Sequence, residues 1–331
     1  MALIAGTFRD CNGKFIKLDS FTHRDLLLFS DWSSSIVKHG KECIVFCGKE
    51  AITMGSFISS ACSNDYNLYF LTSNGELFIM DKSTAQMKKF TTSKFIALGC
   101  CESVLYCISG DHNLLVEESG FNPRPPIFKS LPLKVKSVAC GSEFLLCLTP
   151  VGQVFSKGLG SRGQLGLGDL TDRDEFTRIE ALEVLTVTSL AAGAWHSACV
   201  TDSGDLYTWG WNEHGQLGHR SFTLCKKSTG PYSLDLSDAI SVLSIPKPVD
   251  TSDEDVTEVA CGSRHTAYLT NKGSVYVFGW NGFGQLGFDP QIVKALDSPT
   301  PIKLPISPVG SSFNVRGICC GLWTTIVQLD E

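Results

Sequence analysis

No apolar run in the 331 residues approaches the roughly 18 needed for a helix to cross a bilayer. Met1 leads directly into strand-like residues, without the charged and then apolar order of a secretory leader. A chain that neither enters nor crosses a membrane is expected. A basic surplus is also missing: Asp and Glu number 34 against 28 Lys and Arg, for a net charge of −6, and neither end carries a basic tail. Direct nucleic-acid binding is therefore not expected, since a polyphosphate needs a concentrated positive surface. No Cys-x-x-Cys occurs among the 14 cysteines. Cys43 and Cys47 stand four apart, and the neighbours Cys100–Cys101 and Cys319–Cys320 would point to opposite faces of a strand, so no structural metal is expected. Cys140, Cys199, Cys261 and Cys319 lie inside strand patterns, as buried free thiols of a reducing compartment do.

Catalytic signatures are missing as well. There is no Ser–His–Asp order, His-x-x-x-His pair or Gly-x-Ser-x-Gly elbow. The glycine-rich segments 158–163 and 279–284 lack the Lys-Ser/Thr ending and following helix of a phosphate loop. Neither an enzyme nor a cofactor is expected.

The chain does contain a repeat. Residues 138–166 recur in register at 190–218 and again at 259–287. Each copy has a small-residue run ending in Gly (Gly141, Gly193, Gly262), a Thr-x-x-Gly turn (149–152, 201–204, 270–273) and a closing Gly-Gln-Leu-Gly (163–166, 215–218, 284–287). Within one copy, His196, Ala198 and Val200 alternate with Ser197, Cys199 and Thr201, and Leu206 to Trp209 follow the turn: two short antiparallel strands. Weaker copies pass through Phe29 to Gly48, Ser60 to Ile79 and Ala97 to Val116. A last copy begins at Ile318 and reaches Glu331 with only its first half, while Leu3 to Phe8 read like the missing second half. The N-terminal strand is thus expected to complete the last blade, closing a seven-bladed all-β propeller and removing free sheet edges. Blades are placed near Asp31, Ser63, Gly99, Gly141, Gly193, Gly262 and Gly321, as one domain over residues 1–331.

These residues resemble the repeats of the regulator of chromosome condensation (RCC) family, most clearly over 135–287. The resemblance implies a seven-bladed propeller of RCC type. The short chain, the degenerate first half and Gly-Trp-Asn at both 210–212 and 279–281 are similar to a small family member that partners a JmjC-domain oxygenase. That likeness implies a non-enzymatic, intracellular scaffold, nuclear, cytoplasmic or both, that acts in chromatin and chromosome-segregation regulation. The family's founding member implies an alternative: guanine-nucleotide exchange on a Ran-like small GTPase.

Single repeat positions restrain over-reading. His196 and His265 share a position filled by Phe144 and Thr324 in other copies, which favours a structural role, and Trp209 and Phe278 are expected to fill space between blades. Arg162, Arg264 and Arg316 fall in or near loops.

Two departures from the repeat are candidate partner sites. Gln164 and Gln216 are 52 residues apart but Gln216 and Gln285 are 69 apart, and the excess of 17 falls within a charged segment, 219–255. It opens with Arg220, Lys226 and Lys227 and turns acidic at Asp235, Asp238, Asp250, Asp253, Glu254 and Asp255. It reads either as a solvated loop or as an acidic strip that docks a basic partner. The Pro-rich segment 119–133, placed between the third and fourth blades, holds Pro123, Arg124, Pro125, Pro126 and Phe128. It is either a plain crossover or a stiff extended motif presenting Arg124 to an enzyme groove, as an anchor or a modified residue.

Overall fold

In a computed structural model of the chain, residues 2–6, 8–9, 15–16, 25–30, 34–39, 42–47, 50–54, 58–64, 66–90, 94–101, 104–117, 127–228, 237–304 and 314–329 are described. Seven antiparallel sheets form the blades, and the pairing of Phe8–Arg9 with Phe15–Ile16 is a separate two-stranded sheet. Blade 1 runs Asp25–Ser30, Ser34–His39, Glu42–Cys47 and Glu50–Met54, and blade 2 Ile58–Ser63, Asn67–Thr72, Leu77–Asp81 and Met87–Phe90. Blade 3 comprises Phe95–Cys101, Val104–Ser109, Asn113–Glu117 and Phe128–Lys134, and blade 4 Ser137–Cys140, Phe144–Leu148, Val154–Gly158 and Arg173–Arg178. Blade 5 is built of Val187–Ala192, His196–Thr201, Leu206–Trp211 and Val242–Pro248, and blade 6 of Val256–Cys261, His265–Thr270, Val275–Trp280 and Ala295–Pro301. Blade 7 takes Val315–Gly321 and Thr324–Leu329 from the far end of the sequence and Ala2–Gly6 from its start. Ala2–Gly6 pairs with Thr324–Leu329 in register from Ala2 opposite Gln328 to Gly6 opposite Thr324. The expected closure of the ring is what the structure has. No helix among the described residues is long and apolar enough to cross a membrane.

Gly141, Gly193 and Gly262, taken as blade starts, sit instead at the first turn of their blades, whereas Gly99 lies within the first strand of blade 3. Gly141, Gly193 and Gly262 each donate a backbone N–H to the residue that opens the second strand, at 2.8 to 2.9 Å. The innermost strand lies before them. The Thr-x-x-Gly turns join the second and third strands: the Gly152, Gly204 and Gly273 amides donate to the carbonyls of Thr149, Thr201 and Thr270, and each Thr hydroxyl accepts from the amide four residues on.

Alternation in the second strand did not translate into one wet face. His196–Thr201 and His265–Thr270 are buried at every position, because each blade is covered on both faces by its neighbours. The cores accordingly lie between blades. Trp209 of blade 5 packs with Phe144, Leu146 and Leu165 of blade 4, and Phe278 and Tyr268 of blade 6 with Ala198 and Val200 of blade 5. Further clusters fill the spaces from blade 1 to blade 4 and from blade 6 to blade 7. The twelve described cysteines are free thiols, buried or half-buried, and burial pushes those of Cys261 and Cys319 up to about 12.

Candidate functional site

Every Gly-Gln-Leu-Gly turn clamps its blade to the next. The Gln carbonyls accept hydroxyl hydrogen bonds across the interface: Gln164 from Ser197 at 2.9 Å, Gln216 from Thr266 at 2.8 Å and Gln285 from Thr325 at 2.7 Å. The Gln164 carbonyl also takes the Trp209 Nε1–H at 2.9 Å. Each Gln side chain folds back so that Oε1 accepts the amide two residues earlier, of Arg162, His214 or Phe283. The last glycine makes room for the neighbour. Gly166 has φ +73° and a Cβ there would stand 2.8 Å from Trp209 Nε1, while one on Gly218, at φ +69°, would meet the Phe278 ring at 3.0 Å. Asn212 and Asn281 stiffen the same loops by donating to two carbonyls each and accepting the amides of Leu217 and Leu286.

His196 belongs to this clamp. Its Nε2 lies 2.9 Å from Thr266 Oγ1, and because that hydroxyl donates to the Gln216 carbonyl, Nε2 supplies the N–H. Burial lowers the pKa of His196 to about 3 and that of His265 to about 4, so both rings are neutral and closed to proton exchange with solvent.

The turns so fixed carry a set of aromatic and cationic side chains at one end of the blades. This end holds the turn between the first two strands and the connector between the last two. Successive first turns are linked by backbone hydrogen bonds around the ring, Ser142 to Ala194 at 3.1 Å, Ala194 to Ser263 at 3.2 Å and Ser263 to Leu322 at 2.9 Å. On this frame the Arg162 guanidinium lies over Trp195 at 5.0 Å and Trp211 at 4.4 Å. Arg264 lies over Trp211 at 5.6 Å and Trp280 at 5.8 Å. Trp280 continues edge-on to Trp323 at 5.0 Å and Phe283 at 5.4 Å. Arg264 Nη1 donates to His214 Nε2 at 3.2 Å, which requires a neutral imidazole protonated on Nδ1. The result is a half-buried ladder of alternating arginine and tryptophan across blades 4 to 7. Sequence inspection missed it, since one repeat position holds Glu143, Trp195, Arg264 and Trp323 and another Arg162, His214 and Phe283, so no single residue type marks either column. Aligning the copies column by column and marking the positions that vary within the constant frame would have found it.

The predicted site residues are distributed differently. Arg124, Pro123, Pro125, Pro126 and Asp235 lie outside the described residues. Phe128 opens the outer strand of blade 3, its ring 5.3 Å from that of Phe95. The Pro-rich segment therefore joins the last two strands of blade 3 and is not a crossover to blade 4, and its second half is strand. Pro132 is accommodated there because an outermost strand leaves one edge unpaired. The segment 219–255 is likewise not one loop, since Val242–Pro248 forms the outer strand of blade 5. Nor do its acids make one strip. Asp238 lies before that strand, at the end where Val242 pairs with Trp211, and binds Arg220 at 2.6 Å. Asp250, Asp253, Glu254 and Asp255 follow it at the opposite end, where Glu254 meets Lys272 at 3.5 Å and Asp255 accepts from Asn271 at 2.8 Å.

The model of the regulator of chromosome condensation (RCC1) repeat matches residues 151–200, 203–269 and 272–328, together more than half of the chain. The chain belongs to the RCC1 repeat family. It is 34% identical over 233 residues to RCC1 domain-containing protein 1 of Homo sapiens, covering 63% of this chain and 61% of that protein. The Mus musculus protein of that name is 37% identical over 230 residues, covering 63% and 60%. The chain thus spans about three-fifths of the length of these relatives. The solved structure of Prp20p from Saccharomyces cerevisiae, whose binding to Gsp1p and histones is described with it, superposes over 100% of this chain and 91% of its own with a TM-score of 0.74. At 16% identity it speaks for the propeller alone.

Proposed function

We propose that this RCC1-repeat chain is a non-enzymatic scaffold, one domain over residues 1–331, that captures a JmjC-domain oxygenase in chromatin and chromosome-segregation regulation. One observation carries the reading: the three longest connectors, Trp211 to Val242, Gly158 to Arg173 and Trp280 to Ala295, leave the ring at a single end. The connector between Glu117 and Phe128, which contains Arg124, and the one between Trp211 and Val242 both depart from the end that carries the arginine–tryptophan ladder. A rigid ring that gathers its variable loops on one end is built to hold a partner there. Arg124, on a stretch stiffened by three prolines, is the side chain offered to the oxygenase, as an anchor or as a substrate.

The test is a quantitative pull-down from cell extract with mass spectrometry, using wild type, Arg124→Ala and a chain with 229–236 replaced by glycine and serine. Wild type should enrich a JmjC-domain oxygenase, and Arg124→Ala should lose either its capture or a mass increment on the Arg124 peptide. Unchanged capture and modification in Arg124→Ala would remove that residue from the proposal. Prp20p, with its described binding to Gsp1p, favours a second reading, exchange on a Ran-like small GTPase. Acceleration of nucleotide release from such a GTPase by the purified chain would put that reading first.

A further inference from the structure

We propose that the ladder of Trp195, Arg162, Trp211, Arg264, Trp280 and Trp323 is a docking surface for an acidic, extended segment of a protein partner. The inference adds a ligand chemistry to the scaffold reading but does not depend on which protein that partner is. Its basis is what the two guanidiniums leave unused. A guanidinium stacked on indole faces spends its π surface and keeps its N–H groups, which lie in its own plane, for a carboxylate. Arg162 makes no side-chain hydrogen bond or ion pair among the described residues, and Arg264 donates a single hydrogen bond, to neutral His214. The ion pairs Lys89–Glu76, Arg173–Asp169, Arg178–Glu183, Arg220–Asp238 and Lys272–Glu254 lie elsewhere. In a chain of net charge −6, two adjacent cations without carboxylates, held half-buried by tryptophan, form a local site of opposite sign.

The geometry also selects the shape of the ligand. Both guanidiniums share Trp211, at 4.4 and 5.6 Å from its ring. Carboxylates two residues apart on one side of an extended chain are separated by about 6.6 Å, a spacing that can serve both cations. Beyond Arg264 the ladder turns apolar, with Trp280, Trp323 and the exposed Leu322, so an apolar residue following the acids is accommodated. A nucleic acid fits less well. The tryptophan faces are already taken by arginine, which leaves less surface on which bases could stack.

The full chain is titrated with a fluorescein-labelled Glu-Ser-Glu-Ser-Leu peptide, read by anisotropy and by tryptophan emission, to which the ladder supplies four of the six tryptophans. Wild type should bind in a salt-sensitive manner, and the double variant R162Q/R264Q should bind about tenfold or more weakly, as expected on losing charge-assisted pairs. R162K/R264K, which keeps the charge but not the fork, should fall between them. R178Q, at an ion pair with Glu183, should match wild type and controls for folding, together with the melting temperature of each variant. Equal binding by wild type and R162Q/R264Q overturns the proposal. So does absence of peptide binding, preference for a single-stranded oligonucleotide, or a wild-type dimer in sedimentation that dissociates in R162Q/R264Q. Because the assay contains no oxygenase, failure of the JmjC reading leaves its outcome intact.

Discussion

His196 and His265 sit at one repeat position, sealed between blades, with burial holding their pKa values at about 3 and about 4. Both lie below the value near 6.5 of an exposed imidazole, so on acidification the unfolded chain takes up these two protons first. Their contribution to stability is complete above about pH 6.5 and is lost as the pH falls from there toward the folded values, each ring adding a slope of about 1.4 kcal/mol per pH unit. Replacing both with phenylalanine, the residue that blade 4 carries as Phe144, should flatten the pH dependence between pH 6.5 and 4.5. Chemical denaturation across that range measures it. Their structural role was readable in the sequence because the repeat puts Phe and Thr in the same column. The ladder was not, since a search for sameness discards the columns where copies differ.

At the scale of the element, the clamp from one turn to the next blade should dominate. Thr266→Val leaves the Gln216 carbonyl and the His196 ring without their shared hydroxyl, an expected cost of about 1–3 kcal/mol. Trp209→Ala empties a site fully closed to solvent and should cost about 3–5 kcal/mol, whereas Trp209→Phe should cost far less, since Phe278 fills the equivalent place in blade 6. Urea denaturation of the three variants ranks them, and a Thr266→Val chain as stable as wild type would refute the clamp. Second and third strands were legible from the Thr-x-x-Gly turn and the residues flanking it. Outer strands were not. Val242–Pro248 and Phe128–Lys134 carry proline and charge, which read as loop, yet an edge strand tolerates both because one row of its amides has no partner to lose.

Across the whole molecule, the six core clusters of the described residues lie between blades, so a blade draws its burial from its neighbours. Removing residues 2–6 would take the third strand from blade 7 and leave Thr324–Leu329 with one open edge. A single unfolding transition at lower temperature, with light scattering from edge-to-edge association, is the expected result. Closure could be read because Leu3 to Phe8 match the half-unit absent after Ile318. The placement of long connectors at one end could not, since it depends on which strands they join and the outer strands were the elements that pattern reading missed.

The pairing of Ala2–Gly6 with Thr324–Leu329 also sets an order in time. A ribosome adding about 5–20 residues per second makes the first of these strands tens of seconds before the second. Through that interval the early strand has no partner in its own sheet, and the blades between are made one after another without a closed ring. Thr324–Leu329 is the strand that ends the wait, so a pause or truncation before it is made leaves Ala2–Gly6 unpaired.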